Sequence, residues 1–223
     1  MRRMFPIVVA LTAAVGFAQD VVQVAPERVK VLFENDRVRV LRFSEPGHSK
    51  LPMHSHPAYV AVGFTADRAK YTLADSKTAE ERTKAGEATY SESITHASEI
   101  LTNTPSEAVM VELKNKPAGT PAAETALDPV KIDPKHYKME IDNDRVRVLR
   151  IKYGPHEKSV MHEHPASVVV FLSDANSKFT VPDGTSQETN SKARDAQWAD
   201  AGQHLPENLS DKPMEAVLIE LKR

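Results

Sequence analysis

Apolar and basic positions alternate from residue 37 onward. Val38, Val40 and Phe43 sit among Arg37, Arg39 and Arg42, the period-2 signature of a half-buried strand. Residues 59–64 and 167–172 are short, β-rich apolar runs, and 108–113 and 216–221 predict closing strands just after a proline turn. Turn formers punctuate the chain at Glu45-Pro46-Gly47, Ala74-Asp75-Ser76, Gly154-Pro155 and Pro182-Asp183-Gly184. Residues 76–84 have the one pattern compatible with a helix, and 184–192, which correspond to them, are too polar and Ser/Thr-rich to agree. Many short strands with frequent turns predict an all-β sandwich, barrel or jelly roll in each half.

The halves are copies. Glu34-Asn35-Asp36-Arg37-Val38-Arg39-Val40-Leu41-Arg42 returns as Asp142-Asn143-Asp144-Arg145-Val146-Arg147-Val148-Leu149-Arg150, an offset of 108. The same offset carries Met53-His54 to Met161-His162, His56-Pro57-Ala58 to His164-Pro165-Ala166, His96 to His204 and Glu112-Leu113-Lys114 to Glu220-Leu221-Lys222, without a gap. A unit of this length is a duplicated domain rather than a solenoid repeat. The reading places one domain at 19–115, a Pro/Ala-rich linker at 116–134 and a second domain at 135–223.

Composition changes the picture in three ways. With 29 basic and 31 acidic residues in 223, the chain is no basic nucleic-acid binder. It has no Cys, which removes disulfides, thiolate metal sites and Cys nucleophiles. Its N-terminus, with Arg2 and Arg3, an apolar run over 7–18 and small residues at Gly16 and Ala18, has the three-part pattern of a secretory signal cleaved after Ala18. The run is too short for a membrane span. The mature protein is therefore expected in the periplasm or outside the cell, with no membrane association after cleavage.

Candidate chemistry lies in the histidines. His54 and His56, and His162 and His164, are two residues apart on predicted strands, so each pair shares a face. A third histidine follows in each copy, His96 and His204, within strand-like stretches at 94–102 and 203–210. If those strands are neighbours, three imidazoles converge per domain, a donor set for Fe, Zn, Cu or Ni, and with a carboxylate Mn. Met53 and Met161 are aimed outward to pack between layers, and the arginines of Asp-Arg-Val-Arg-Val-Leu-Arg are placed on a solvated or intersheet face. His136 has no counterpart in the first copy and is treated as incidental.

This constellation resembles the cupin superfamily, twice over, as in a bicupin. Over about 27–114 the resemblance is carried by Pro46-Gly47 leading to His54-Ser55-His56, then Lys84-Ala85-Gly86-Glu87 leading to His96. Over about 135–223 it is carried by Gly154-Pro155 before His162-Glu163-His164, then Asp195-Ala196-Gln197-Trp198 before His204. The resemblance implies two tandem cupin-type β-barrels (double-stranded β-helix or jelly roll) with a metal site in each. Cupins usually add a Glu four or five residues after the second His. Here those positions are Val60 and Ala61, and Val168 and Val169, which leaves a three-His site and weakens the case for Mn. Glu99 and Glu207 fall at odd offsets from the third His and are expected on the opposite face. Asn208, on the His204 face, follows the family pattern, whereas its counterpart is Ile100; Tyr59 faces Ser167 across the copies, so the first site is the more apolar.

Three functions stay open on this reading. One is an exported metal-dependent oxygenase or isomerase acting on a small organic molecule. Another is a non-catalytic periplasmic protein that binds metal or a small ligand. The third is a degenerate, structural bicupin. The expected cofactor is a divalent transition metal (Fe, Zn, Cu, Ni or Mn), the expected partner a small molecule, and the expected assembly a monomer or homodimer.

Overall fold

The structure, a computed structural model, describes residues 19–114 and 125–222. The expected signal at 1–18 and residues 116–124 of the expected linker lie outside the described residues.

The first half is built from β1 (Gln19–Asp20), α1 (Val21–Val24), β2 (Val29–Glu34), β3 (Val38–Glu45), β4 (Lys50–His56), β5 (Tyr59–Gly63), β6 (Asp67–Leu73), β7 (Thr78–Thr83), β8 (Ala88–Ser91), β9 (Ile94–Ile100) and β10 (Ser106–Leu113). These form two five-stranded sheets in the orders β1-β4-β9-β6-β7 and β2-β3-β10-β5-β8. The second half repeats the plan. It has α2 (Pro129–Ile132), β11 (Tyr137–Asp142), β12 (Val146–Tyr153), β13 (His162–His164), β14 (Ser167–Phe171), β15 (Ala175–Thr180), β16 (Ser186–Ser191), β17 (Ala196–Ala199), β18 (Gly202–Asn208) and β19 (Met214–Leu221). Its sheets run β11-β12-β19-β14-β17 and β13-β18-β15-β16. Sequence neighbours repeatedly fall in opposite sheets, the crossing pattern of a jelly roll. The segment that a helix was compatible with contains β7.

Each half opens in the same way. Asp20 caps α1 by accepting from the Val22 N–H at 2.8 Å, and Asp128 caps α2 by accepting from the Val130 N–H at 3.1 Å. Pro129 occupies the first turn of α2, where its missing N–H costs nothing. Positions 128–132 of the expected linker thus pack on the second barrel as 20–24 pack on the first.

The strands next to the seam between barrels are buried on both faces. Along β3, Leu41 and Phe43 point into their own barrel and pack with Val21, Val29, Leu51 and Met110. Val38 and Val40 point the other way. They join Val60, Val62, Val109 and Val111 and their counterparts Val146, Val148, Val168, Val170, Val217 and Ile219 in one core that belongs to both halves. β-branched side chains suit such a surface, since they pack well on a pleated sheet. Backbone oxygens on this seam take arginines reciprocally: Arg37 Nη2 donates to the Lys222 carbonyl and Arg145 Nη2 to the Leu113 carbonyl, both at 3.3 Å.

One outward placement needs correction. Met53 is 38% exposed rather than packed between layers, because strand β4 has solvent on its outer side. Arg39 and Arg147 take the intersheet face, not the solvated one. They turn into their barrels, because each meets a buried carboxylate there.

Candidate metal centres

The predicted neighbours are neighbours. β4 pairs antiparallel with β9 so that His54 lies opposite His96, and β13 pairs with β18 so that His162 lies opposite His204. Period-2 alternation then brings His56 and His164 to the same faces. All six predicted histidines come together as two trios, His54 with His56 and His96, and His162 with His164 and His204; the ligand atoms within each trio lie within 4.8 Å of one another. Nε2 of His54 and Nε2 of His96 are 3.1 Å apart. Ligands at cis positions about 2.1 Å from one metal stand about 3 Å apart, so this spacing fits a shared ion.

The side chains around each trio fix which nitrogen points inward. Nδ1–H of His54 donates to the Pro52 carbonyl and that of His162 to the Val160 carbonyl, both at 2.7 Å. Nδ1–H of His56 donates to Glu112 Oε1 at 2.7 Å, and that of His164 to Glu220 Oε1 at 2.6 Å. Holding Nδ1 in this way turns Nε2 inward as the nitrogen that could ligate a metal. Nε2 of His56 is buried with no hydrogen-bond partner, an orphaned lone pair aimed at the centre of its trio. The residues therefore fit a metal ion.

Behind each glutamate stands an arginine and behind that an aspartate. Arg39 Nε donates to Glu112 Oε2 at 2.6 Å and its Nη1 to Asp20 Oδ2 at 2.5 Å. Arg147 repeats this with Glu220 at 2.5 Å and Asp128 at 2.9 Å. Burial works against both guanidinium charges, but the paired carboxylates outweigh it and raise their affinity for the proton. Sequence reading missed this chain of groups. Its signal was the repeat itself, which carries Asp20, Arg39 and Glu112 to Asp128, Arg147 and Glu220.

Burial lowers the pKa of His96 to about 3 and of His204 to about 3, with the neighbouring imidazoles adding to the effect. It lowers His162 to about 4 and His54 in the same direction. Neutral imidazole is the form that ligates metal.

The two centres differ in what surrounds them. In the first, Tyr59 packs edge-on to His56 with ring centroids 5.5 Å apart, and Tyr71 stacks on His96 at 5.1 Å. In the second, Tyr137 packs against His162 at 4.8 Å, and its hydroxyl lies 3.0 Å from His162 Nε2 and 2.8 Å from the Tyr153 hydroxyl. Tyr153 stacks on His136 at 4.3 Å. His136 is not incidental: it is buried, and its Nδ1–H donates to Asp133 while Nε2 reaches Glu157 Oε2 at 3.0 Å. Asp133 also accepts from Ser159 Oγ at 2.5 Å. Because these residues exist in one copy alone, a search for repeated chemistry passed over them.

Glu99 pairs with Lys50 at 3.2 Å and Glu207 with Lys178 at 3.8 Å, both away from the trios. Asn208 shares the His204 face but donates to the Gly154 and Lys212 carbonyls, holding the loop beside it rather than the centre.

No protein-family model and no curated protein matches the sequence. Solved structures do match in shape. Oxalate decarboxylase from Bacillus subtilis is similar with a TM-score of 0.59 and 14% identity, over 82% of this chain and 68% of that one. A further structure of that enzyme, from work on its Mn(II) centres, gives a TM-score of 0.61 over 86% of this chain and 71% of that one. AerE from Microcystis aeruginosa gives 0.60 with 11% identity, over 87% of this chain and 97% of that one.

Proposed function

From a bicupin fold with three histidines converging in each barrel, we propose that the protein holds a divalent transition metal through His54, His56 and His96 and a second through His162, His164 and His204. We infer that it is an exported oxygenase or isomerase acting on a small organic molecule. The observation that carries the metal reading is the glutamate behind each trio: Glu112 and Glu220 hold Nδ1 of His56 and His164 and turn Nε2 to the centre. Three protein ligands leave positions open, so a bound metal would supply Lewis acidity or an O₂-binding position. The chain's own residues hold His54, His96, His162 and His204 toward the neutral form by burial, set tautomers through backbone carbonyls and carboxylates, and bring Tyr137 to the edge of the second centre. The N-terminal signal pattern supports export to the periplasm or beyond.

A non-catalytic metal- or ligand-binding protein is the second reading. The Tyr137 hydroxyl favours it, since that group engages His162 Nε2, the nitrogen a metal would need. Elemental analysis of untagged protein tests the proposal. Wild type should carry up to two metals per chain, and His56→Ala and His164→Ala should each lose one. A metal-free wild type that binds none on dialysis against Fe, Mn, Zn, Cu or Ni would defeat it. A loaded protein without turnover of any small-molecule panel would leave the binding reading.

A further inference from the structure

A cavity of about 260 Å³ opens beside the second trio, with His164 and His204 at one end. Its walls are Ile151, Val169, Phe171, Phe179, Met214 and Leu218, and the hydroxyls of Tyr137, Ser167 and Ser177 are on it as well. No Lys or Arg is among the described residues that line it. Two acids are among its lining residues, and each has a partner: Asp200 accepts from the Trp198 indole N–H at 2.8 Å and Glu207 pairs with Lys178 at 3.8 Å. The cavity therefore has no Lys or Arg to offer an anion, and its two acids already have partners. With no metal on the trio, an anion stripped of water there would lose hydration that nothing on the walls replaces.

We propose that this cavity is a binding site for a neutral, mostly apolar molecule of about one ring with a hydroxyl, and that the site belongs to the second barrel alone. It rests on the reading of that barrel as a ligand site and narrows the class of molecule. The volume lies just below the range of drug-sized pockets, so one ring is the appropriate bulk. The hydroxyl has imidazoles, Ser167 and Tyr137 as partners at the polar end. In the first barrel the position of Ser167 is Tyr59, packed on His56, and that of Phe179 is Tyr71, stacked on His96. The Tyr59 ring lies where the second barrel has only Ser167; at the Tyr71 position the second barrel has a ring of its own, Phe179, 5.3 Å from His204.

Benzyl alcohol and benzoate are matched in size and differ in charge, so calorimetric titration of both into the full chain tests the proposal. Stripping the metal first keeps carboxylate–metal bonding out of the comparison. Benzyl alcohol should bind with one site per chain and roughly tenfold or more tighter than benzoate, a difference of about 1.4 kcal/mol. Ser167→Tyr should fill the cavity and abolish that binding. Val169→Lys, a second variant should the first not fold, should reverse the preference toward benzoate. Val31→Ser, at an exposed position on the first barrel, should leave the wild-type affinity unchanged. Equal or tighter benzoate binding by wild type, no benzyl alcohol binding, or binding that survives Ser167→Tyr in folded protein would each overturn the proposal. Metal analysis of the same preparations reads separately: binding of benzyl alcohol by a protein that never takes metal would sink the metal reading and leave this one standing.

Discussion

Glu112 and Glu220 sit one bond behind the ligating atoms, and their replacement separates orientation from coordination. In Glu112→Gln the amide oxygen still accepts from His56 Nδ1–H, but the –NH₂ then faces the Arg39 Nε–H. Groups in this position commonly change metal affinity 10- to 100-fold. We expect a loss of about that size in the first centre for Glu112→Gln and in the second for Glu220→Gln, read by competition with a chromogenic chelator. Unchanged affinity in both would mean that Nε2 is presented without help from the glutamates. Glu45 makes a second prediction at this scale. It is buried, with one carboxylate oxygen lacking any partner, and burial raises its pKa to about 7, with Arg28 opposing and Asp67 assisting. Between the unfolded value of 4.5 and about 7, the folded state holds a proton the unfolded chain has released, so stability falls as pH rises through that window. Glu45→Gln should therefore raise the melting temperature at pH 8 and change it little at pH 4. An equal effect at both would show that the carboxyl is not the cause.

Strand pairing assembles each trio, and the elements carry their own pH dependence. The lowered values of His96, His204 and His162 mean that the metal-free fold refuses protons that the unfolded chain accepts below 6.5. Stability should be complete above pH 6.5 and decline as pH falls toward 4 and 3. Thermal melts in chelator from pH 7.5 to 4 check this, and His96→Ala together with His204→Ala should flatten the slope. These same strands show what the sequence discloses. The histidines were legible because β4 and β13 obey a period of two and the copy repeats all six positions. β10 hid its chemistry. Val109, Val111 and Leu113 face the seam while Met110 and Glu112 face inward, so both faces are buried and no alternation marks Glu112 as special. Arg39 was left between a solvated and an intersheet face for the same reason, since its partner was unseen. Tyr137, Tyr153 and His136 replace Val29, Glu45 and Arg28 in the first copy, and an argument from repetition discards what is not repeated.

At the scale of the whole molecule the valine seam makes the two barrels one folding unit. Val148 is fully buried against residues of both halves. Val148→Asp would place an unpaired charge there, and we expect a loss on the order of 4 kcal/mol or more, at the severe end for one substitution. Both trios should then release metal together, followed by calorimetry and metal analysis. Two separate melting transitions in wild type would contradict a shared core.

The two faces of that seam are nearly the same surface: Val38, Val40 and Val60 on one side are Val146, Val148 and Val168 on the other. A patch that meets its own likeness across a two-fold axis is self-complementary. A polypeptide ending at residue 114 should therefore not live alone in solution. Two such chains should close on each other through an isologous contact, with Arg37 of each reaching the other's carboxy-terminal strand. The duplicated protein reads, in that light, as an ancestral homodimer whose subunits were joined end to end. Once joined, the two copies were free to differ around their histidines, with Tyr59 in one where the other has Ser167 and Tyr137 in one where the other has Val29.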